Sequence, residues 1–395
     1  MIARPTELPV ALPSLGEAEA AAAARVIRSG WVTQGPEVAA FEEEFARYVD
    51  APFACAVSNC TTALHLALLA VGVGPGDEVI TVSHSFIATA NAIRHCGATP
   101  VFVDIEPHGF NIDPLLIESA VSTRTKAILC VHQLGMPCDL ASIVEIARRR
   151  GLQVIEDAAC AVGSEVLWQG HFRRIGAPIG DIACFSFHPR KVMTTGDGGM
   201  LTTARQDYDQ KFRLWRQHGM SITDRERHSS RSVVFENYLS VGYNYRLTDI
   251  QAAVGREQLR RLDEFVLARR RIADWYREHL SDIPGLGLPG EPSWARTNWQ
   301  SYAVTLPAGV DQRAVMQELL NAGIATRRGV MNAHLEPAYA SSASARVASS
   351  LDRSEAAQDE TVILPLSTQM TEEDVMHVAE ALKFAVAPAR SSEPA

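Results

Sequence analysis

The chain has 395 residues, of which 47% are hydrophobic and 21% charged, and it carries a formal net charge of −9. This length exceeds that of one compact unit, so we expect two domains with ample apolar material for their cores. The acidic balance and the lack of a long basic run argue against a nucleic-acid-binding surface.

Cysteine usage and the N-terminus bear on the compartment. The seven cysteines are odd in number and none forms a CxxC pair, which predicts reduced thiols rather than a disulfide framework or a zinc site. The N-terminus lacks the apolar core of a signal peptide, and no stretch approaches the roughly 20 apolar residues of a membrane span. His84, His188 and His218 are dispersed, so no metal site is expected. We therefore expect a cytoplasmic protein without membrane or nucleic-acid partners.

Short apolar runs alternate with helical patterns from about residue 50 to 205. Because these runs are nearly uninterrupted and rich in valine, isoleucine and phenylalanine, they are typical of strands buried on both faces. Repeated βα units predict an α/β fold with a mostly parallel, seven-stranded sheet between helices such as Thr61–Val71 and Leu140–Arg149. The candidate strands are Ala54–Val57, Glu78–Val82, Pro100–Val103, Ala127–Val131, Gln153–Glu156, Ile182–Phe187 and Gly199–Thr203.

A long helical pattern follows, beginning at a capping box formed by Thr248 and Gln251 and running to Leu280 as one predicted helix. The Gly- and Pro-rich segment Ser281–Ser293 ends it. A strand-like Ser301–Leu306 and helices near Val315–Asn321 and Glu372–Phe384 then suggest a smaller C-terminal α/β domain.

These patterns predict a domain organisation. Residues 1–250 form a large domain on which the segment 1–30 packs, and residues 251–386 comprise the linking helix and the small domain. The polar tail 387–395 is expected to be disordered.

Lys191 lies between an apolar strand and a glycine-rich turn, in the stretch "FSFHPRKVMTTGDGGM". Alone, it reads as a surface lysine in a polar turn. However, ligands bind at the carboxyl edge of open α/β sheets, glycines allow close backbone approach, and Ser186 and His188 supply polar neighbours. Poor solvation at that edge would lower the pKa of Lys191 and favour attack by its amine on an aldehyde.

Three further stretches also follow predicted strands. Asp157 is either a turn or cap aspartate or a carboxylate placed to pair with a cationic ring nitrogen. The helix that starts near Thr61 presents N–H groups suited to phosphate, with the hydroxyls of Thr61 and Thr62 beside them. N-capping by Ser58 or Thr61 explains that stretch better when it is taken alone. Phe86 could offer a stacking face, although a single phenylalanine is more often a core residue.

An amine, a ring-pairing carboxylate, a phosphate cradle and a stacking aromatic together describe a site for pyridoxal phosphate (PLP). In these motifs the chain resembles the DegT/DnrJ/EryC1/StrS sugar aminotransferases, which have the fold-type I PLP-dependent transferase fold. The resemblance extends from Ser29–Val49 to His334–Tyr339. Its most specific segments are "EDAACAVGS", "FSFHPRK", "TTGDGGM" and "GYNYRLTDIQAAVG".

The resemblance implies residue roles. Lys191 would bond covalently to PLP, Asp157 would keep the pyridine nitrogen protonated and Phe86 would stack on the ring. Asn244 matches a residue that reaches the phosphate from the neighbouring subunit, which implies a homodimer with shared active sites. The matched phosphate contacts are Thr61, Thr62 and Ser186, and weaker matches on the substrate side are Thr33, Gln34, His218, Arg246 and His334.

One position departs from the family pattern. Cys160 stands where the family often has glutamine or histidine near the phenolic oxygen of the cofactor. A thiol is a weaker hydrogen-bond partner than either. We therefore expect this chain to tune its cofactor differently.

The resemblance implies a ping-pong aminotransferase that moves an amino group from an amino acid, glutamate most often in the family, to a nucleotide-linked keto-deoxysugar. Alternatives are a cyclitol ketone acceptor, or a PLP-dependent sugar dehydratase, against which Lys191 argues because histidine replaces the lysine there. A regulatory or binding module is a third alternative, opposed by the complete set of cofactor residues. Arg190 and Asp224–Ser232 are candidates to contact the diphosphate, although the latter is equally a solvated loop.

Overall fold

The computed structural model describes residues 7–222, 232–341 and 344–387. Of the candidate diphosphate stretch Asp224–Ser232, all but Ser232 lies outside the described residues, as does the predicted tail beyond Ala387. The strands are β1 (Phe53–Val57), β2 (Glu78–Val82), β3 (Thr99–Val103), β4 (Thr125–Val131), β5 (Gln153–Asp157), β6 (Glu165–Trp168), β7 (His171–Arg174), β8 (Ile182–Ser186), β9 (Gly199–Thr203), β10 (Ala295–Arg296), β11 (Tyr302–Thr305), β12 (Arg327–Arg328), β13 (Arg346–Val347) and β14 (Thr361–Leu364).

The α-helices of the described residues run over both halves of the chain. They are α1 (Glu17–Ser29), α2 (Pro36–Val49), α3 (Cys60–Ala70), α4 (Ala88–His95), α5 (Pro114–Ala120), α6 (Leu140–Arg150), α7 (Gln206–Trp215), α8 (Asp249–Arg260), α9 (Leu262–Leu280), α10 (Gln312–Asn321), α11 (Asp352–Glu360) and α12 (Glu372–Val386).

The central sheet has the order β1-β9-β8-β5-β4-β2-β3-β13. The strands from β8 to β13 pair in parallel, and β9 runs antiparallel to both β8 and β1. All seven predicted strands lie in it, but the predicted count is wrong by one because β13 adds an edge strand beside β3. With two residues, one of them Arg346, β13 carries no apolar run that could signal a strand.

Two apolar layers bury the faces of this sheet. One contains Phe41 and Phe45 of α2 with Phe187, and the other contains Leu64 and Leu66 of α3. Because helices cover both faces, the parallel strands are buried almost throughout, as their apolar composition predicts. The covered faces leave the carboxyl edge of the sheet as the place where polar side chains collect.

The predicted helix from Thr248 to Leu280 is two helices, α8 and α9, separated at Arg261, whose φ and ψ are −102° and 1°. The capping box of Thr248 and Gln251 is present at the start of α8. α8 packs on α1 and α2, whereas the later part of α9 packs on α12. Leu259 of α8 and Phe265 near the start of α9 lie in the same core, and α9 enters a separate core only from Ile272 onward. Periodicity alone does not reveal the break.

A third apolar core lies around α9, α10, α12 and the antiparallel sheet β11-β14-β12, with Tyr276 and Tyr302 stacked at its centre. A small sheet, β10-β6-β7, was not predicted, and its strand β10 leads into the buried residues Thr297, Asn298 and Gln300. The predicted domain boundaries stay a prediction. None of the helices in the described ranges is long and apolar enough to cross a bilayer.

Candidate active site

Neighbouring parallel strands bring Asp157 and Ser186 to one edge of the central sheet. Asp157 ends β5 and Ser186 ends β8, and the register pairs Asp157 with Cys184. After β8 the chain turns so that the N–H of Lys191 donates to the carbonyl of His188 at 2.8 Å. The sheet therefore fixes a carboxylate and a hydroxyl, and a short turn returns the lysine beside them.

The amine of Lys191 lies 3.1 Å from the Sγ of Cys160. Burial alone lowers the pKa of Lys191, but the adjacent sulfur and the charge of Asp157 raise it above its ordinary value. The expectation of a lowered pKa is thus wrong, because the surroundings of the lysine include a sulfur and a carboxylate rather than apolar groups alone. Lys191 is held as an ammonium group at neutral pH.

Asp157 is buried and has two hydrogen-bond partners. Its Oδ2 accepts from the hydroxyl of Thr89 at 2.8 Å and its Oδ1 from the N–H of Ala159 at 3.2 Å. Burial raises the pKa of Asp157, and the Thr89 hydroxyl, the Ala159 N–H and the charge of Lys191 oppose that rise. A cationic group brought to this carboxylate would favour its ionised form further.

The start of α3 lies beside both charges. Burial and the charge of Asp157 raise the pKa of Cys60, the first residue of α3, and the charge of Lys191 lowers it. Asn59, and neither Ser58 nor Thr61, caps the helix, because its side chain accepts from the N–H of Thr62 at 2.9 Å.

The cap leaves part of the helix start available. The hydroxyl of Thr62 donates to the carbonyl of Asn59 at 2.7 Å, so this side chain already serves the cap. The first N–H groups of the helix have no intrahelical partner. A Cβ on Gly199 would approach the Asn59 backbone to 2.5 Å, so only glycine permits this close turn. The result is a cradle of backbone donors suited to an anion.

Phe86 presents its ring to solvent near the same edge and is 63% exposed. It stands between Ser85 and the first turn of α4, where its carbonyl accepts from the N–H of Thr89 at 3.1 Å. A large exposed phenyl ring, on the turn whose Thr89 hydroxyl donates to Asp157, suits stacking on a flat ring. The donor set as a whole fits the aldehyde, ring nitrogen and phosphate of PLP.

The weaker family matches lie in separate small groups. Thr33 forms a bridge with Thr248, and the side chain of the buried Gln34 donates to the carbonyl of Leu247 at 3.4 Å. Arg246 is partly buried and directly precedes Leu247 and Thr248 in the chain. Thr33 and Gln34 thus join the N-terminal part of the chain to the segment that directly precedes α8.

The other matches lie further along the chain. His218 and Asn244 are both exposed, on two segments that pair at Gln217 and Asn244. The ring of His334 is held between Ser83, at 2.7 Å, and Glu355, at 3.0 Å. Of these, only His334 has a side chain fixed by two partners, and Asn244 has the exposure that contact with another subunit requires.

Three residues near the site were missed from the sequence. Thr89 holds Asp157, Asn298 donates from its Nδ2 to the carbonyls of Cys160 and Val162 at 2.8 Å each, and Gln300 donates to the carbonyl of Arg190 at 2.6 Å. Asn298 and Gln300 thereby hold the two loops that carry Cys160 and Lys191. The only sequence signal for them was a polar cluster between two short strands, which is no guide to partners more than a hundred residues away.

No group of three or more His, Cys, Asp or Glu side chains converges on a metal site within the residues described. All seven cysteines are free thiols, and Cys160 is the one that is not buried.

Known proteins match the chain over nearly its whole length. The sequence model of the DegT/DnrJ/EryC1/StrS aminotransferase family matches residues 13–383. Spore coat polysaccharide biosynthesis protein SpsC of Bacillus subtilis is 40% identical over 380 residues, covering 95% of this chain and 96% of SpsC. GDP-perosamine synthase of Caulobacter vibrioides is 40% identical over 382 residues, covering 94% and 96%.

Solved structures agree with these matches. The aminotransferase TlmJ of Streptoalloteichus hindustanus has a TM-score of 0.87 at 36% identity, covering 96% of this chain and 99% of TlmJ. Spr1654 of Streptococcus pneumoniae, solved in its PLP-form, has a TM-score of 0.86 at 26% identity, covering 96% and 98%.

Proposed function

The chain belongs to the DegT/DnrJ/EryC1/StrS aminotransferase family and is a PLP-dependent aminotransferase, and on that premise we propose that it transfers the amino group of L-glutamate to a keto-deoxysugar carried on a nucleotide. The amine of Lys191 beside the buried Asp157 and the α3 cradle is the observation that carries the proposal. A relative named GDP-perosamine synthase, 40% identical, supports the nucleotide-linked acceptor.

We assign the cofactor contacts as follows. Lys191 would bond to the aldehyde of PLP, Asp157 would pair with the ring nitrogen and Phe86 would stack on the ring. Cys160, whose Sγ lies 3.1 Å from the Lys191 amine, would contact the cofactor's phenolic oxygen. Thr61, Thr62, Ser186 and, from a second copy of the chain, Asn244 would hold the phosphate at the start of α3. Thr33, Gln34, His218, Arg246 and His334 are proposed to lie toward the substrates.

PLP, when bound, supplies an aldehyde that bonds to amines and a conjugated ring that accepts the electron pair left by a departing proton. Lys191 would hold PLP through its amine and, whenever that amine is free, would take the proton from the donor's α-carbon. Asp157, as a carboxylate beside the ring nitrogen, would keep that nitrogen protonated. Since the same lysine serves the donor and the acceptor, we expect ping-pong kinetics.

The charge state of Lys191 fits this sequence of roles. Its pKa is raised by Cys160 and Asp157 after burial is overcome, so the ammonium form must lose a proton before it bonds to an aldehyde. A cationic ring nitrogen placed against Asp157 would neutralise part of the field that stabilises the ammonium group. Lys191 would therefore lose its proton more easily when Asp157 faces a cation.

A homodimer with shared sites is part of the proposal. Val233, Phe235, Leu239 and Val241 are large, strongly exposed apolar residues in one segment that leads directly to Asn244. Contiguous exposed apolar surface on a folded chain marks an interaction site. A second copy covering this segment would bring its own Asn244 to the phosphate.

The experiment that tests the function separates donor and acceptor. Purified protein with PLP and L-glutamate, without acceptor, is expected to release one equivalent of 2-oxoglutarate per site, as single-turnover ping-pong chemistry requires. After the 2-oxoglutarate and unbound PLP are removed, nucleotide-linked keto-sugars and cyclitol ketones are added separately, and the return of the aldehyde absorbance of the cofactor is followed. We expect return only with the nucleotide-linked sugars.

Lys191→Ala is the control for this experiment. The variant is expected to bind PLP without a covalent bond and to release no 2-oxoglutarate. Wild-type turnover by this variant would contradict the assignment of Lys191. If the absorbance returned with cyclitol ketones alone, the aminotransferase activity would be supported but the proposed nucleotide-linked acceptor would be wrong.

A further inference from the structure

Thr89 is buried in the first turn of α4, with 1% of its surface exposed. Its hydroxyl donates to Oδ2 of Asp157 at 2.8 Å and lies 2.8 Å from the hydroxyl of Ser85. A hydroxyl has one hydrogen to donate. Because Thr89 gives that hydrogen to Asp157, Ser85 must be the donor to Thr89, and the three residues form a directed chain.

This series of hydrogen bonds ends at the carboxylate of Asp157, which burial would otherwise tend to protonate. Burial raises the pKa of Asp157, and the Thr89 hydrogen bond is the largest of the influences that lower it again. Only the Ala159 N–H is a second hydrogen-bond donor to this carboxylate among the described residues. A hydrogen bond given to an ionised carboxylate stabilises the ionised form.

The same series of hydrogen bonds is connected to the turn that carries Phe86. Ser85 directly precedes Phe86, and the carbonyl of Phe86 accepts from the N–H of Thr89. The turn that displays the phenyl ring and the hydroxyl that holds the carboxylate are therefore one hydrogen-bonded unit. A shift of this turn moves both groups together.

We propose, on the premise of the function given above, that Thr89 is a positioning residue whose hydroxyl, oriented by Ser85, holds Asp157 ionised and aimed at the ring nitrogen of the cofactor. Its effect passes through Asp157, and it makes no contact with substrate. Loss of the hydroxyl should therefore weaken binding of PLP and shift the pH dependence of the bound cofactor's absorbance.

The test compares Thr89→Val, which keeps the shape and removes the hydroxyl, with Thr89→Ser, which keeps the hydroxyl. The dissociation constant for PLP is measured by quenching of tryptophan fluorescence, and the absorbance of the bound cofactor is titrated with pH. Loss of a hydrogen bond to a charged group should weaken PLP binding roughly tenfold to a hundredfold in Thr89→Val. Thr89→Ser should bind within about threefold of wild type, since its hydrogen bond remains.

Thr81→Val is the matched control. Thr81 is a buried threonine in β2 whose hydroxyl donates to the carbonyl of Leu129 at 2.8 Å, away from Asp157. This variant should lose stability and keep the PLP affinity and pH profile of wild type. If Thr89→Val matches Thr81→Val in both, the positioning role is wrong.

Two more variants keep the outcome decisive. Ser85→Ala leaves Thr89 in place without its donor and should give a smaller loss of affinity in the same direction, so it tests the chain even if Thr89→Val does not fold. Asp157→Asn should weaken PLP binding more than any of them. A normal Asp157→Asn variant would overturn the ring-pairing role itself and this inference with it, whereas a defective Asp157→Asn with a normal Thr89→Val and Ser85→Ala would overturn this inference alone.

Discussion

At the scale of single residues, the site shows how opposing effects decide a charge state. Lys191 is partly buried, which alone lowers its pKa, yet contact with Cys160 and the charge of Asp157 raise it. The sequence placed both Lys191 and Asp157 at strand ends, because an apolar run followed by a polar residue is visible locally. It could not place Thr89, whose partner lies 68 positions away.

Glu106, outside the site, has its charge opposed from several sides. Burial and the nearby carboxylates of Asp113 and Asp139 raise its pKa to about 7, and only the backbone at Asn111 opposes the rise. The ordinary value is 4.5. Between these two values the folded chain holds a proton that the unfolded chain has lost.

Glu106→Gln is therefore expected to stabilise the protein in a pH-dependent way. Wild-type free energy of unfolding should fall as pH rises from 4.5 to about 7 and level off above that. The variant has no such loss. Its free energy of unfolding should therefore equal that of wild type below pH 4.5 and exceed it by about 2 kcal/mol above pH 7, after discounting for partial exposure. Urea unfolding on both sides of the window measures it.

Glu118→Gln is the control, since Glu118 is exposed and pairs with Arg149 and Arg150, which lower its pKa. That variant should show no gain in stability at high pH. An advantage of Glu106→Gln that did not change with pH would contradict the assigned cause.

At the scale of elements, the site is made by ends of strands and the start of a helix. The strand positions followed from composition, since buried parallel strands are apolar throughout. The break between α8 and α9 did not, because the apolar spacing is helical on both sides of Arg261.

Gly199→Ala tests the close contact of β9 with the start of α3. The added Cβ would come within 2.5 Å of the Asn59 backbone, so the turn must shift. We expect a loss of about 1–3 kcal/mol in the free energy of unfolding, as for other overpacked sites, and weaker PLP binding because the anion cradle is displaced. Thermal unfolding and PLP titration measure the two effects.

Gly74→Ala is the matched control, because a Cβ there meets no atom within 4 Å. It should leave both quantities close to wild type. Equal behaviour of the two variants would mean that α3 tolerates the contact and that the cradle does not depend on it.

At the scale of the whole molecule, sequence patterns predict most of the fold but do not locate the surface through which copies would associate. Alternating strands and helices predict the layered sheet, whereas the β6-β7-β10 sheet and β13 depend on short pairings without an apolar signal. The exposed apolar segment before Asn244 is visible only once burial is known.

Phe235→Asp is expected to weaken the proposed homodimer. Phe235 is 84% exposed in the described chain, and a charge there would be desolvated in an interface between copies. Sedimentation at several protein concentrations should show more monomer, and PLP affinity should fall because Asn244 of the second copy is withdrawn. Leu115→Asp, on an equally exposed leucine of α5, should change neither.

The hold of Asn298 and Gln300 on the loops of Cys160 and Lys191 has a consequence for biogenesis. Synthesis proceeds from the N-terminus, and domains fold as they emerge. The ribosome makes Lys191 more than a hundred residues before the amides that fix its loop. We therefore expect that the nascent chain can form its sheet early but binds PLP only late. Binding should begin once the region past residue 300 has emerged from the exit tunnel.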